Sequence, residues 1–353
     1  MGAEVVRGHL TGNSTVGLYP LLRDDTCWLL AIDFDKESWH NDVLAVADAC
    51  DALGIPSAVE RSRSGDGAHL WTFFASPVAA SLARNLGSVV VTRTLDRRYQ
   101  IGFDSYDRLF PSQDTLPTRG FGNLISLPLQ EETRRQGNTV FLDGSLEPFP
   151  DQWRFLPSIH RLEPSAVEPI VRDAARAGRV LGLGPSWFEE DEEPQPWTLP
   201  PSHRRKSEVP MRGLLLSSVN VVLANRPFIP KDGLPPLLIN QLRRLATIQN
   251  PEFYRAQARR MSTREKPRLI DCSEDFQEHL ALPRGCLIEV RKPFEHSATS
   301  VGLRDERCGG APISAKFDGA LSMEQAEVAA ALAQHELGVL SAPTAFGKTV
   351  IGA

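Results

Sequence analysis

The sequence of 353 residues lacks any long hydrophobic run, and its five cysteines are scattered. No apolar stretch approaches the ~20 residues that a membrane-spanning helix needs, which excludes a helical membrane protein. The N-terminus has no apolar core of a secretory signal peptide. Because the cysteines are odd in number and form no C-x-x-C pair, neither a disulfide framework nor a cysteine zinc site is favoured. We therefore expect a cytoplasmic protein with no membrane partner.

The composition is that of a globular protein, but the charge is unevenly distributed. Hydrophobic residues make up 41% and charged residues 24%, which excludes a wholly disordered chain. Residues 201–270 contain 14 Lys and Arg against four Asp and Glu, a net charge of +10 in a chain of −5. Such a block suggests a polyanionic partner, although a solvated helical face would also produce it. The candidate contacts to nucleic acid are Arg243, Arg244, Arg255, Arg259 and Arg260.

The first 160 or so residues predict a compact α/β unit. The run TCWLLAIDFD is typical of a buried strand, and a helix capped at Asn41 or Asp42 follows it. The strands IPSAVERS and AHLWTFFA are joined by the polar turn SGDG. A second helix is predicted from Ser76-Pro77 to about Leu86, and SVVVTRTL and NTVFLDG are further strands. This order predicts an α/β or α+β fold with helices on one face of a sheet.

The remainder of the chain is less regular. A helix is predicted over about residues 165–177, and the proline-rich, charged residues 180–210 indicate a linker. The strands LLLSSVNVVLA and PRLIDCS and the basic helices PPLLINQLRRLATIQ and PEFYRAQARRM follow. The end of the chain is a helix, SMEQAEVAAALAQHEL, then a strand, GVLSA, and a loop, PTAFGKT. These patterns divide the chain into four parts, which are 1–165, 166–210, 211–310 and 311–353.

Two acids stand at the end of the first strand, two positions apart. Strand alternation places Asp33 and Asp35 on one face, about 6–7 Å apart along the strand. Hard carboxylates at this spacing suit Mg²⁺ or Mn²⁺. A pair of such ions can activate an attacking oxygen and stabilise a leaving phosphate. A turn or a helix cap at a strand end would also account for the pattern.

A small polar turn and a histidine follow one strand later. Ser64, Gly65 and Gly67 form a flexible turn whose backbone N–H groups can meet a phosphate. His69 begins the next strand, where its side chain can reach the same phosphate, although a histidine after such a turn is often structural. The positive charges that can assist a triphosphate are Arg61 and Arg63, for which a solvent-facing strand edge is the alternative.

A third acid, Asp143 in VFLDG, stands at another strand end, although a turn with Gly144 would also favour it. An acidic pair, a Ser/Gly turn with histidine and a later strand-end acid together resemble the three motifs of the archaeo-eukaryotic primase superfamily. The stretches GHLTGNSTVGLYPLLRDDTCWLLAIDFDKESW and YDRLFPSQDTLPTRGFGNLISLPLQ are similar to the primase module of TOTE conflict-system proteins and of CRISPR-associated primase-polymerases. Within them, Gln113, Asp114 and Asn123 either shape the nucleotide pocket or form a turn.

This resemblance, over about residues 7–160, implies an RRM-like catalytic sheet packed on an N-terminal α/β unit. It implies a primase-polymerase that makes primers or extends strands on a single-stranded DNA or RNA template. Asp33, Asp35 and Asp143 would bind two Mg²⁺ or Mn²⁺ ions, and the Ser/His motif would bind the triphosphate of an NTP or dNTP. A prokaryotic defence system or mobile element, with other conflict-system or CRISPR-system proteins as partners, is the implied context. Sugar preference and the need for a primer stay open.

The C-terminal sequence APTAFGKT fits the Walker A pattern with Ala for the first Gly. It resembles motif I of superfamily-two helicases, in which Lys348 after Gly347 would reach the ATP phosphates and Thr349 would ligate Mg²⁺. Phe317-Asp318-Gly319 and Gln325 resemble the upstream region that contacts the base. Because the sequence ends four residues after Thr349, we expect an incomplete RecA-like element without helicase activity. The missing helicase portion is then an expected partner.

Two other functions remain open. A non-catalytic nucleic-acid-binding module would use the basic helices of 241–268, with Phe253 and Tyr254 stacking on bases. A haloacid dehalogenase-type phosphatase also begins with an apolar strand and D-x-D. That site needs Thr or Val two residues after the second acid, where this chain has Glu37. Asp33→Ala would separate an enzyme from a binding module, because synthesis would be lost while DNA binding persists.

Overall fold

The structure is a computed structural model that describes residues 2–35, 37–98, 108–176, 216–294, 299–312, 314 and 318–352. The predicted linker and Phe317 lie outside the described residues. Residues 2–176, the first region, contain α1 (Ala3–Leu10), β1 (Gly17–Leu18), β2 (Thr26–Phe34), α2 (Trp39–Ala52), β3 (Ala58–Arg61), β4 (Ala68–Ala79), α3 (Ala80–Leu95), β5 (Leu109–Phe110), β6 (Ile125–Ser126), α4 (Glu131–Arg135), β7 (Phe141–Leu142), α5 (Gln152–Phe155) and α6 (Pro164–Arg176).

Residues 216–312 are the second region, and two more helices follow it. The elements are β8 (Ser218–Leu223), β9 (Pro227–Pro230), α7 (Pro236–Leu245), β10 (Thr247–Gln249), α8 (Pro251–Ala258), β11 (Leu269–Asp271), β12 (Glu274–Asp275), β13 (His279–Ala281), β14 (Ser300–Asp305), α9 (Met323–Ala333) and α10 (Lys348–Ile351). None of the described helices is long and apolar enough to cross a bilayer.

The first region is built on a five-stranded sheet in the order β5-β2-β4-β3-β7. All four neighbouring pairs are antiparallel. The chain passes through β2, α2, β3, β4, α3 and β5 in turn, which is the split β-α-β-β-α-β arrangement. Both α2 and α3 pack on this sheet. The mixed α/β class predicted from the sequence is therefore present, with antiparallel strands.

The boundary predicted at Ser76-Pro77 is wrong. β4 continues through both residues to Ala79, and one helix, α3, covers the segment predicted as a short helix and a strand. The run Val89–Val91 favours a strand, but a helix buried on nearly all sides has the same continuous apolar pattern. Buried hydroxyls of this helix bond to its own carbonyl oxygens, as Thr92 does to that of Ser88 at 2.7 Å.

The predicted start of α2 is also wrong, by a few residues. The helix begins at Trp39, with Ser38 at the N-cap position, rather than at Asn41 or Asp42. Asp42 lies inside the first turn and is buried, where it accepts hydrogen bonds from the Ser38 hydroxyl at 2.6 Å and from Arg98 at 2.9 Å. Because the Asp42 carboxylate is buried and bonded to these two donors, the residue lies inside the helix and does not cap its start.

The second region forms its own sheet, in the order β12-β13-β9-β8-β14, with β14 parallel to β8. The predicted strands LLLSSVNVVLA and PRLIDCS are confirmed as β8 and β11, and the two basic helices as α7 and α8. The helix prediction extended too far, because residues 247–249 form β10 and pair with β11. Leu238, Ile239 and Leu242 of α7 belong to the apolar core of this region.

The two regions are joined by a buried arginine on α3. Arg84 is 1% exposed, and its guanidinium donates to Asp114 at 3.0 Å. It also donates to Gln257 of α8 at 3.4 Å and lies 5.3 Å from the centroid of the Phe253 ring. The Gln257 amide donates in turn to the second Asp114 oxygen at 2.6 Å. A side chain of the first region is therefore enclosed by the second.

Other contacts extend this interface along α3. Arg268 is 2% exposed and donates to the hydroxyl of Ser88 at 3.0 Å. Leu269 belongs to the hydrophobic core of the first region. The amide of Asn240 on α7 donates to the carbonyl oxygen of Leu95 at the end of α3. The second region thus completes the surface of α3 that the sheet leaves uncovered.

The C-terminal strand predicted over residues 338–342 is wrong. These residues form no strand, and Val339 is 96% exposed. A single strand leaves its backbone groups unpaired unless a neighbouring strand receives them, and no described strand lies beside this one. The preceding helix is confirmed as α9, with a capping box between Ser322 and Gln325. The RecA-like element is not confirmed.

The cysteines divide by burial, which predicts their reactivity. Burial raises the pKa of Cys27 and of Cys50 to about 12, whereas Cys272 and Cys308 are exposed. Because the thiolate is the reactive form, we expect rapid alkylation of the native protein at Cys272 and Cys308 only. Timed labelling followed by peptide mass spectrometry measures this. Labelling of Cys27 at the rate of Cys272 before denaturation would contradict the buried strand β2.

Candidate active site

The two acids of the D-x-D pattern lie at the end of β2. Asp33 is opposite His69 of β4, and its backbone N–H donates to the carbonyl oxygen of Arg108 at 3.1 Å. The side chains of Asp33 and Asp35 are 30% and 59% exposed. The end of β2 therefore presents two carboxylates that solvent and small ions can reach.

A chain of three side chains crosses three neighbouring strands at this level. Glu60 of β3 is 1% exposed and accepts hydrogen bonds from His69 Nδ1 and from the indole N–H of Trp71, both at 2.8 Å. The other ring nitrogen, His69 Nε2, lies 3.6 Å from Asp33 Oδ1. The buried carboxylate of Glu60 thus orients the imidazole of His69 through Nδ1, so that Nε2 faces Asp33 of the D-x-D pair.

The same geometry favours the charged form of His69. Burial lowers the pKa of the imidazole, but the hydrogen bond to Glu60 and the negative charges of Glu60 and Asp33 raise it by more. The net effect is a pKa above the ordinary value for histidine. Sequence reasoning missed Glu60, although pairing residues outward from the SGDG turn places it opposite His69. An acid directly after the apolar Ala58 and Val59 was the available signal.

Asp35 has a cationic neighbour that the sequence did not indicate. It forms an ion pair with Arg108, which directly precedes β5. Because β5 pairs with β2, the ladder brings Arg108 beside the acids from the other side of the strand. Each acid of the pair therefore has one nitrogen-bearing neighbour, the imidazole of His69 for Asp33 and the guanidinium of Arg108 for Asp35.

The predicted Ser/Gly turn closes against the end of β2. A Cβ on Gly67 would lie 2.4 Å from the carbonyl oxygen of Phe34 and 3.4 Å from the Cα of Asp35. Gly65 has a φ of +86°. The hydroxyl of Ser64 accepts the backbone N–H of Asp66 at 3.3 Å, which fixes the turn. The glycines thus allow the turn to approach the acids closely.

Gly67→Ala tests this close approach. The methyl group would meet a backbone carbonyl, so the turn must move away from β2, and we expect a loss of about 1–3 kcal/mol in the free energy of unfolding. Gly144→Ala is the matched control, because its Cβ would have no neighbour within 4 Å. Urea unfolding measures both. Equal stability of the two variants would show that the turn is not held against β2.

A family comparison agrees with this arrangement. Residues 1–170 match the family model of the TOTE conflict system, Archaeo-Eukaryotic Primase domain. No curated protein matches the chain. That model describes a primase domain of a conflict system, and it covers most of the first region of this chain. The matched segment contains the D-x-D pair, the Ser/Gly turn and His69.

The two arginines predicted to assist a triphosphate, Arg61 and Arg63, have different surroundings. Arg61 donates to the carbonyl oxygens of Gly137 at 3.4 Å and Leu146 at 3.2 Å, so it fastens the segment before and after β7. Arg63 is exposed, and its guanidinium has no hydrogen bond or ion pair with any described residue. Of the two, Arg63 is the one available to an anion.

Asp143 does not join the other two acids. It follows β7, which lies three strand spacings from β2, or about 14 Å across the sheet. Its Oδ1 accepts the backbone N–H groups of Ser145 at 2.8 Å and Glu147 at 3.1 Å, so the turn alternative is correct. Across the described part of the chain, no group of three or more His, Cys, Asp or Glu side chains is arranged to bind a metal ion. The expected three-acid set is therefore not assembled.

Most of the arginines predicted to contact nucleic acid are engaged elsewhere. Arg243 is 5% exposed and pairs with Asp275 at 2.5 Å, which excludes it from a binding surface. Arg244 pairs with Asp96 at 3.3 Å. Arg260 pairs with Asp25, just before β2, at 2.6 Å. Arg255 and Arg259 are exposed and have no ion pair with a described residue. The basic block thus serves largely to bind acids of this chain.

Gln113 and Asp114 also belong to the contact between the regions. The hydroxyl of Thr263 donates to Gln113 at 3.3 Å, and Asp114 binds Gln257 and Arg84 as described above. Gln113 is 2% exposed. These two residues hold the segment after β5 against the second region, rather than facing a nucleotide pocket.

The C-terminal loop has some features of a phosphate loop. Gly347 has a φ of +86° and directly precedes α10, and the amide of Gln325 donates to the carbonyl oxygen of Phe346 at 2.8 Å. Lys348 donates to the carbonyl oxygens of Ala342 and Pro343, both at 3.0 Å. Thr349 is exposed. The structure thus brings Gln325 to the loop, while the lysine is folded back onto it.

Proposed function

We propose that the primase domain is a metal-dependent primase-polymerase that joins nucleotides on a nucleic-acid template. The observation that supports this most is the group of Asp33, Asp35 and His69 at the end of β2, beside the Ser/Gly turn. Two exposed carboxylates and an imidazole whose pKa is raised are the groups that a nucleoside triphosphate with its divalent ion would meet.

Asp33 and Asp35 would hold Mg²⁺ or Mn²⁺. Their exposure and their oxygen atoms fit a hard cation, and two ions shared with substrate phosphates need fewer protein ligands than an all-protein cage. When bound, such ions lower the pKa of the attacking hydroxyl and neutralise the leaving pyrophosphate. Asp143 is not part of this proposed set, for the reasons of distance and hydrogen bonding given above.

His69 and the turn would bind the triphosphate. Glu60 keeps Nδ1 of His69 protonated, and its charge also favours a proton on Nε2, which points toward the acids. Protonated Nε2 can donate to a phosphate oxygen in a charge-assisted hydrogen bond. Ser64, Gly65 and the exposed Arg63 supply further donors on the same turn. Glu60 is a positioning residue in this scheme, since it acts through His69.

The substrates would be NTPs or dNTPs and the template single-stranded DNA or RNA. The family match also suggests other proteins of a conflict system as partners. ATP binding at Gly347, Lys348 and Thr349 is a separate proposal. It requires Lys348 to release the two carbonyl oxygens that it now contacts.

A gel assay on single-stranded DNA tests the proposal. The reaction contains Mg²⁺ or Mn²⁺, either NTPs or dNTPs, and a labelled first nucleotide, with and without a primer. Products that disappear in the Asp33→Ala/Asp35→Ala double variant are expected. Extension of a primer without initiation would leave a polymerase. No product in either format, with DNA still bound, would favour the binding module, for which the exposed Arg255 and Arg259 are the remaining candidate contacts.

A further inference from the structure

An aromatic groove lies on the first region, away from the D-x-D pair. It has a volume of about 370 Å³ and is lined by Trp28, Phe73, Phe74, Leu156, Pro157, Ile159 and Arg161. Trp28 is 47% exposed, which is unusual for a tryptophan on a central strand. The groove therefore exposes the ring of Trp28 and, in part, that of Phe73 to solvent.

A local irregularity of the sheet accompanies Trp28. The register between β2 and β4 shifts between Cys27 and Leu29, so Trp28 has no regular partner in the ladder. Bulges of this kind change the direction of a side chain and are frequent next to functional sites. Beyond the shift, Phe73 and Phe74 of β4 meet the segment that contains Leu162. The groove is thus formed where the regular sheet ends.

The one charged side chain that lines the groove is Arg161, and it belongs to a basic segment. The segment from Gln152 to Leu162 contains Arg154, His160 and Arg161 and no Asp or Glu. Arg154 and Arg161 are exposed, and neither has an ion pair with any residue that the structure describes. In a chain with a net charge of −5, this is a locally basic stretch next to exposed aromatic rings.

His69 of the candidate active site and Phe73 of the groove lie on one face of β4, with Trp71, which is buried, between them. His69, Trp71 and Phe73 are two residues apart and share that face. The rings of Trp71 and Phe73 are stacked, with 5.9 Å between their centroids. His69 and Phe73 are four residues apart, or about 13 Å along the strand. That distance is on the order of four base steps in a stacked nucleic-acid strand. A single strand of about four nucleotides is therefore long enough to span the distance between the two sites.

We infer that this groove binds an unpaired base of single-stranded nucleic acid, with Trp28 and Phe73 as the stacking surfaces and Arg161 as the phosphate contact. Single-strand-binding proteins combine aromatic rings with a positive groove in this way. The inference rests on the proposed function, because it places the template strand of that reaction. The one charged residue that lines the groove is a cation, Arg161, which favours a polyanionic strand over an acidic or neutral protein surface.

Fluorescence anisotropy with a labelled single strand of mixed sequence, in EDTA so that no synthesis occurs, tests the groove. Because stacking on one aromatic residue contributes about 1–3 kcal/mol, we expect Trp28→Ala to raise the Kd on the order of tenfold. Trp28→Phe retains a ring and should restore most of the affinity. Arg161→Gln should weaken binding and make it less dependent on salt, since one phosphate contact is lost.

Phe276→Ala is the matched control, because Phe276 is 46% exposed and lies on the second region. Its Kd should equal that of the wild-type protein. An unchanged Kd for Trp28→Ala, or an equal loss in the control, would overturn the inference. The outcome is separable from the proposed function. If binding depends on Trp28 but no synthesis occurs, only the proposed polymerase function is overturned. If synthesis occurs and Trp28→Ala leaves binding unchanged, only the role of the groove is overturned.

Discussion

The Asp33→Asn protein is expected to incorporate nucleotides on the order of 10³-fold more slowly than the wild type, because the ions that we propose Asp33 holds would contribute several kcal/mol to the transition state. Asparagine keeps the size of the side chain but removes the charge that binds the ion. Its amide can still lie beside His69 Nε2, 3.6 Å from the present carboxylate, so the fold should be retained. Single-strand affinity in EDTA should be unchanged, since the charge acts through the metal.

The control for this experiment is Asp143→Asn. Because Asp143 lies away from the D-x-D pair, this variant should not show the same loss of activity. The Asp143 carboxylate uses one oxygen to accept two backbone N–H groups, and the amide oxygen of asparagine can accept both. Incorporation should therefore stay within a few-fold of the wild type. A loss in Asp143→Asn as large as in Asp33→Asn would mean that the third acid acts at the metal after all.

The two variants are compared by their initial rates of primer extension at saturating nucleotide and several Mn²⁺ concentrations. This measurement distinguishes the loss of a metal ligand from a change in the turn. A ligand variant should need more metal for half-maximal rate, whereas a variant that only perturbs the turn should not. The Asp35→Asn variant should resemble Asp33→Asn in this respect. A normal rate in both would remove the D-x-D pair from the mechanism and with it the proposed function.

Arg84→Ala is expected to lower the free energy of unfolding by about 3–5 kcal/mol. Arg84 is 1% exposed and pairs with Asp114, so its removal leaves a carboxylate that has lost its cation. The contacts to Gln257 and to the ring of Phe253 are lost with it. Because these residues come from the second region, the change should also loosen the contact between the regions.

Arg172→Ala is the matched control, since it removes an arginine from an exposed i,i+4 pair with Glu168. Such pairs contribute about 0.3–0.5 kcal/mol. Urea denaturation of both variants, followed by circular dichroism, measures the difference. Limited proteolysis should cleave within residues 236–271 faster in Arg84→Ala than in Arg172→Ala. Similar unfolding midpoints would show that the second region is dispensable for the stability of the primase domain.

Contacts with the second region also indicate how much of the chain is needed for a stable first region. The matched primase domain ends at residue 170, yet Arg268 and Leu269 lie against its helix α3. Arg260 further pairs with Asp25, which directly precedes the strand carrying the acids. We therefore expect that a chain ending at residue 176 has a lower unfolding midpoint than the full chain.

Local patterns in the sequence were sufficient for the elements that hold the candidate site. The run TCWLLAIDFD and the turn SGDG predicted β2 and the hairpin of β3 and β4, which together carry Asp33, Asp35 and His69. These predictions succeeded because burial, alternation and turn chemistry act over a few neighbouring residues. The composition likewise excluded a membrane-spanning helix, and none is found among the described residues.

Strand order and long-range partners were decided only by the tertiary structure. Periodicity cannot show that β7 lies three spacings from β2, which separates Asp143 from the other acids, or that Arg108 and Glu60 flank them. A buried helix and a buried strand have the same apolar pattern, so α3 was divided in two. The sequence alone determined which residues carry charge and which turns are tight. Which charges meet was decided by packing between segments far apart in the chain, as with Arg243, Arg244 and Arg260, which pair with Asp275, Asp96 and Asp25.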